Sequence, residues 1–141
     1  MKTSEKLAIV EGILTRVAEH SGDITEQVFE LYYQRLPEAR ERFQHHSQGN
    51  IINLQGEMVA QALYCLMTWY ESPGEIEILL MGSVPHHNHT LKIPPIFYRE
   101  LINATATVVA NNIPEENGEE RAVWNEVTEE LKELVESSAR E

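Results

Sequence analysis

The chain has 141 residues, of which 42% are hydrophobic and 24% are charged, a composition typical of one globular domain. It carries 23 acidic residues against 11 Lys and Arg, so its formal net charge is −12. Because nucleic acids and anionic membranes bind to basic surfaces, this charge argues against both as partners.

A cytoplasmic location is the expectation for this chain. The first residues are polar and do not resemble a signal peptide. No apolar run approaches the roughly 20 residues that a membrane-spanning helix needs. Cys65 is the only cysteine, which excludes an intrachain disulfide, and its apolar surroundings favour a small buried residue over a nucleophile.

Apolar residues recur at helical spacing along most of the chain. The pattern predicts helices over about 5–19, 24–36, 53–71, 75–81, 94–112 and 117–138. Asp23 is the expected N-cap of the second helix, with Glu26 as its capping-box partner. The intervening segments 44–52 and 83–95 are expected to be irregular connections. The sequence therefore predicts a single all-α domain, residues 1–141, of six to eight helices.

Prolines and the acidic end of the chain shape this prediction further. Pro37 is expected to end or restart the second helix, with a short turn leading to Phe43. A later helix is expected to start near Pro94 and Pro95. Residues 115–141 hold 10 acids and 3 bases, a net charge of −7. A solvated helix face is the simpler interpretation of this excess, and a face that docks a partner is the alternative.

Three histidines lie close together in the segment His86-His87-Asn88-His89. Their spacing matches no zinc motif, and adjacent positions on a helix point about 100° apart, so they cannot easily share one ion. A single histidine on an all-α scaffold can instead hold a haem iron, provided that a wide apolar slot surrounds it. Residues that could line such a slot, although each also suits plain core packing, are Phe29, Tyr33, Phe43, Val59, Leu63, Leu91, Ile93 and Phe97.

The order of four motifs resembles that of the globin family. Residues 28–43 (VFELYYQRLPEARERF) are similar to the second and third globin helices, which carry a phenylalanine six residues after a proline. Residues 55–63 (QGEMVAQAL) resemble the distal helix, and residues 91–98 (LKIPPIFY) resemble the corner that follows the proximal histidine. The last helix, with Trp124, is similar to the final helix of many bacterial single-domain globins. The resemblance covers residues 5 to 137.

This resemblance implies a globin-like fold around haem b, with one iron-ligating histidine. His86 and His87 are the two candidates: counted back from the corner, His87 fits the common vertebrate spacing and His86 fits that of some bacterial globins. We favour His86 slightly and leave both open. Gln55 would donate a hydrogen bond to bound ligand. The resemblance also implies the other pocket residues: Phe29, Tyr33, Phe43, Val59, Leu63, Leu91, Ile93 and Phe97.

One position departs from the pattern of the bacterial relatives. Phe29 stands where many bacterial globins have a tyrosine that donates to bound oxygen. The absence of that phenol argues against strong stabilisation of bound oxygen and against efficient nitric-oxide dioxygenation.

Two functional hypotheses follow from the resemblance. The first is a haem protein that binds a diatomic gas (oxygen, nitric oxide or carbon monoxide) for binding, sensing or redox chemistry. Any enzyme activity would need an external electron donor such as a reductase. The second is a haem-free globin-fold module that binds or regulates another protein. Both leave a homodimer open.

Overall fold

The computed structural model describes residues 1–89 and 94–139, except for the side chains of His46, Ala139 and residues 85–89. Within this part of the chain there are seven helices and no strand, which confirms the all-α prediction. The helices are α1 (Thr3–Ser21), α2 (Thr25–Arg35), α3 (Glu38–Ser47), α4 (Ile51–Thr68), α5 (Pro73–His89), α6 (Pro95–Ala110) and α7 (Gly118–Ala139). None of these described helices is long and apolar enough to cross a membrane.

Helix α6 lies at the centre of the fold, since it contacts α1, α2, α4, α5 and α7. It is buried on several sides, through residues that include Leu101, Ile102, Ala104 and Val109. The buried hydroxyl of Thr105 donates to the backbone carbonyl of Leu101 at 2.8 Å, so this polar group keeps a partner inside the core. Small residues on α6 let the surrounding helices approach closely.

Helix α7 packs against α1, α4, α5 and α6. Trp124 is its largest fully buried side chain, with only 1% of its surface exposed. The Trp124 Nε1 atom donates to the carbonyl oxygen of Ala106 at 2.9 Å, which joins α7 to α6. Val127, Leu131 and Val135 continue the buried stripe at helical spacing.

The acidic face of α7 is partly solvated, as predicted, and partly paired with neighbouring helices. Glu119 and Glu133 are exposed. Other glutamates of α7 form ion pairs, which are Lys6–Glu126 at 2.9 Å, Arg16–Glu120 at 2.6 Å and Arg99–Glu136 at 2.6 Å. These three ion pairs therefore link α7 to α1 and α6.

The prolines set helix boundaries as the sequence predicts, but the N-cap prediction was wrong by one residue. Pro37 lies between α2 and α3, and α6 begins at Pro95. The Asp23 carboxylate accepts bonds from the backbone N–H and hydroxyl of Thr25 at 2.9 and 2.6 Å. This turn leaves Ile24 at the cap position, so Asp23 and Glu26 do not form the predicted capping box.

Two predicted connections are helical instead. The turn expected before Phe43 belongs to α3, which continues to Ser47. Helix α5 begins at Pro73 and runs to His89, eight residues beyond the predicted end at Met81. Burial explains this extension, because tertiary packing rather than local propensity supplies most of the stability of a helix. Ile76, Leu80 and Val84 form a fully buried strip along α5.

Candidate functional site

Four aromatic rings from α2 and α3 pack together beside the core. Phe29 lies 5.1 Å from Phe43, 5.3 Å from Tyr33 and 5.6 Å from Tyr32, measured between ring centroids. Phe29 and Phe43 meet edge to face, with an angle of 72° between the ring planes. Phe29 is buried and Phe43 is half-buried, so the cluster reaches from the core toward the surface.

Two hydrogen bonds from this aromatic cluster extend to other helices. The Tyr32 hydroxyl donates to the backbone carbonyl of Phe97 on α6 at 2.9 Å. The Gln55 side-chain amide on α4 donates to the hydroxyl oxygen of Tyr33 at 2.8 Å. Burial raises the pKa of both phenols, against opposing effects of the Gln55 bond and the Arg40 charge at Tyr33. Both hydroxyls are therefore protonated at neutral pH.

Helix α4 contributes three of the predicted pocket residues at four-residue spacing. Gln55, Val59 and Leu63 share one face of this helix because residues four apart lie one above the other. Val59 is 2% exposed, whereas Gln55 and Leu63 are half-buried. Helix α4 contacts α2, α3, α5 and α6, so this face lies among the elements that carry the other predicted residues.

Both predicted iron ligands, His86 and His87, belong to helix α5. Their side chains are not among those that the structure describes. The backbone places positions 86 and 87 on α5, which contacts α4, α6 and α7. The strip of Ile76, Leu80 and Val84 is buried throughout, and position 87 continues it three residues after Val84.

Arginines beside the aromatic cluster were missed by sequence reasoning. The Arg40 guanidinium carbon lies 4.4 Å from the centre of the Tyr33 ring. The Arg42 guanidinium carbon lies 5.7 Å from the centre of the Phe97 ring. Arginine over an aromatic face is a favourable cation–π arrangement. These contacts join residues of different helices, so no periodic pattern in the sequence could indicate them.

Cys65 is buried on α4, as predicted. Burial raises the pKa of its thiol to about 11, so the group is protonated at neutral pH and is a poor nucleophile. Among the side chains that the structure describes, no three of the His, Cys, Asp and Glu type are grouped to hold a metal ion.

The structure brings some of the predicted pocket residues together, and others lie outside the part of the chain that it describes. Phe29, Tyr33, Phe43 and Gln55 are in direct contact as described, and Phe97 is joined to the same cluster through Tyr32. Leu91 and Ile93 lie outside the described residues. Compared with known proteins, the chain matches no family model, no curated protein and no solved structure.

Proposed function

We propose that this chain is a haem-binding globin that binds a diatomic gas at a histidine-ligated iron. The observation that carries the proposal is that residues from separate motifs meet in space. Gln55 of the 55–63 motif donates to the Tyr33 hydroxyl of the 28–43 motif at 2.8 Å, and Tyr32 of the 28–43 motif donates to the carbonyl of Phe97 in the 91–98 motif at 2.9 Å. The globin resemblance assigns Tyr33, Gln55 and Phe97 to one pocket. The resemblance rests on sequence motifs alone, so the contacts between helices are independent support for the proposal.

The described side chains are of the kind that a flat apolar cofactor requires. When bound, haem would supply an iron that can bind oxygen, nitric oxide or carbon monoxide. Phe29, Val59 and Phe97 are large apolar residues that are each less than 7% exposed, and they exclude water from their surroundings. The side chains of Phe43 and Leu63 are half-buried. The protein therefore leaves part of their apolar surface uncovered, where a cofactor could bind.

Gln55 suits the role of hydrogen-bond donor to the gas. A side-chain amide has two N–H groups. One of them is held by the Tyr33 hydroxyl oxygen at 2.8 Å, which fixes the orientation of the amide. We assign the second N–H to the bound ligand. Position 29, where many bacterial globins have a tyrosine, is a phenylalanine in this chain. The phenol of Tyr33, one helical turn later, instead orients the Gln55 amide.

We assign the iron ligand to His86 because of its register on α5. Position 86 follows Leu79 by seven residues and Ser83 by three, so the three positions share a helix face. Leu79 and Ser83 are half-buried, whereas the strip that leads to position 87 is fully buried by the protein's own side chains. A cofactor needs surface that the protein has not already covered, and the half-buried strip offers it.

Arg40 and Arg42 support the proposal from the edge of the cluster. The two propionate groups of haem are anionic, and arginine binds carboxylates well. In a chain with net charge −12, two guanidinium groups against the rings of Tyr33 and Phe97 supply local positive charge. This placement suits propionates at the rim of an otherwise apolar pocket.

An absorption spectrum of the protein after haem reconstitution tests the function. We expect a sharp Soret band that shifts on reduction and shifts again when carbon monoxide is added, at one haem per chain. The control is the same haem solution with an unrelated helical protein. Absence of a stable Soret band would contradict the proposal and would favour a haem-free module that binds another protein.

Replacing Gln55 by Leu is expected to speed the release of oxygen from the haem-loaded protein. The variant loses one donor, and a hydrogen bond of about 1–1.5 kcal/mol corresponds to roughly a tenfold faster dissociation rate. Stopped-flow displacement of oxygen by carbon monoxide measures this rate. Gln61→Leu, on the same helix but outside the predicted pocket, is the matched control. An unchanged rate for Gln55→Leu, or an equal change for both variants, would remove Gln55 from its proposed role.

A further inference from the structure

Large exposed hydrophobic side chains are concentrated on α4 and α5. Tyr64 and Met67 on α4 are 38% and 41% exposed, while Ile78 and Met81 on α5 are 74% and 49% exposed. We call these four residues the α4–α5 face. Exposed apolar residues that adjoin one another mark an interaction surface, whereas single ones need no explanation.

A hydrogen bond shows that the two helices present these residues side by side. The Tyr64 hydroxyl donates to the Glu75 carboxylate at 2.7 Å, which joins the outer faces of α4 and α5. Met67 follows Tyr64 by three residues and Ile78 follows Glu75 by three, so each lies on the same helix face as the bonded residue. Met81 follows Ile78 by a further three. The four apolar residues therefore lie on the two helix faces that this hydrogen bond joins.

The segment of the sequence that carries the α4–α5 face has acidic residues but no Lys or Arg. Residues 43–91 contain no Lys or Arg and four acids, Glu57, Glu71, Glu75 and Glu77. Glu71, Glu75 and Glu77 lie at the border of the face and are exposed. Elsewhere in the chain, glutamates of α7 are paired with Lys6, Arg16 and Arg99. Glu71 and Glu77 thus offer exposed negative charge to cations from another molecule.

We propose that the α4–α5 face binds a basic amphipathic helix of a partner protein. Such a helix would place apolar residues on Ile78 and Met67, and Lys or Arg beside Glu71 and Glu77. A second copy of this chain fits poorly, because it would bring the same acids together without cations between them. The proposal goes beyond gas binding and does not depend on haem, so either one can fail alone.

A helical peptide made of Leu and Lys, with one apolar face, is a suitable probe. Fluorescence anisotropy of the labelled peptide gives its Kd for the intact protein. We expect Ile78→Gln to raise the Kd about tenfold, because a large side chain would lose its apolar contact. Ile52→Gln is the matched control, since Ile52 is 77% exposed on α4 but lies outside the face. An equal effect of the two substitutions would overturn the proposal.

Charge reversal provides a second, independent test of peptide binding. Glu71→Lys combined with Glu77→Lys should weaken binding of the basic peptide more than a double reversal of Glu119 and Glu133 on α7. Equal weakening would mean that the peptide responds only to net charge, and this result would overturn the proposal. Equal binding of a Leu and Glu peptide would overturn it as well. Circular dichroism checks that the substituted proteins keep their helices.

Sedimentation distinguishes a partner helix from a second copy. We expect the protein alone to show no self-association that Ile78→Gln abolishes. Self-association that depends on Ile78 would assign the face to a second copy and would overturn the proposal. The haem-free and haem-loaded proteins should bind the peptide alike, so a failure of haem binding leaves this experiment unaffected.

Discussion

Replacing His86 by Ala is expected to abolish tight binding of haem. The substitution removes the imidazole that we assign to the iron, and the apolar contacts that remain do not fix the metal. Leu79 and Ser83, which precede position 86 on the same face of α5, are only half-buried, so we expect the helical fold to survive. Titration of the protein with haem, followed at the Soret band, measures the loss, and circular dichroism measures the fold.

His87→Ala is the matched control for this experiment. It removes an imidazole one residue away on the same helix and should leave haem binding intact. The reverse pattern would move the ligand to His87, on the register of Ile76, Leu80 and Val84. Tight haem binding by both single variants and by the double variant would contradict the assignment of the ligand to this pair.

Replacing Trp124 by Ala is expected to cause the largest loss of stability among single substitutions of the core. The side chain is 1% exposed, and its Nε1 atom donates to the Ala106 carbonyl at 2.9 Å. The substitution leaves a cavity between α6 and α7 and removes this hydrogen bond. We expect the free energy of unfolding to fall by about 3–5 kcal/mol, measured by urea denaturation.

The second tryptophan provides a control for Trp124. Trp69 is half-buried, and its Nε1 atom donates at 2.7 Å to the carboxylate of Glu130, which is itself part of a solvated helix face. Trp69→Ala should therefore cost clearly less stability than Trp124→Ala. Equal losses would show that burial against α6 is not what makes Trp124 important.

The candidate site was only partly predictable from sequence. The globin-like order of motifs indicated Phe29, Phe43 and Gln55, and the structure places these three around Tyr33. The contact between Arg40 and Tyr33 could not be predicted from the sequence, because the two residues belong to helices joined by a turn. Their approach depends on the angle at which α2 and α3 meet, which local periodicity does not encode.

Apolar periodicity and prolines were enough to predict the all-α class and several of the helix boundaries. Apolar residues at three- and four-residue spacing specify an amphipathic helix locally, and Pro37 and Pro95 interrupt or begin helices through their own rings. These effects act within a few residues of the chain, so they can be recognised without knowledge of the fold.

Packing between helices determines the length of α5, the pairing of Gln55 with Tyr33 and the exposure of Ile78 beside Tyr64. Helix α5 continues past its predicted end because Leu80 and Val84 are buried by the rest of the protein. The same apolar spacing leaves Ile78 74% exposed, since no neighbouring helix covers that side of α5 among the described residues. Which side of a helix is covered depends on how helices distant in sequence pack, and that packing is a property of the whole chain.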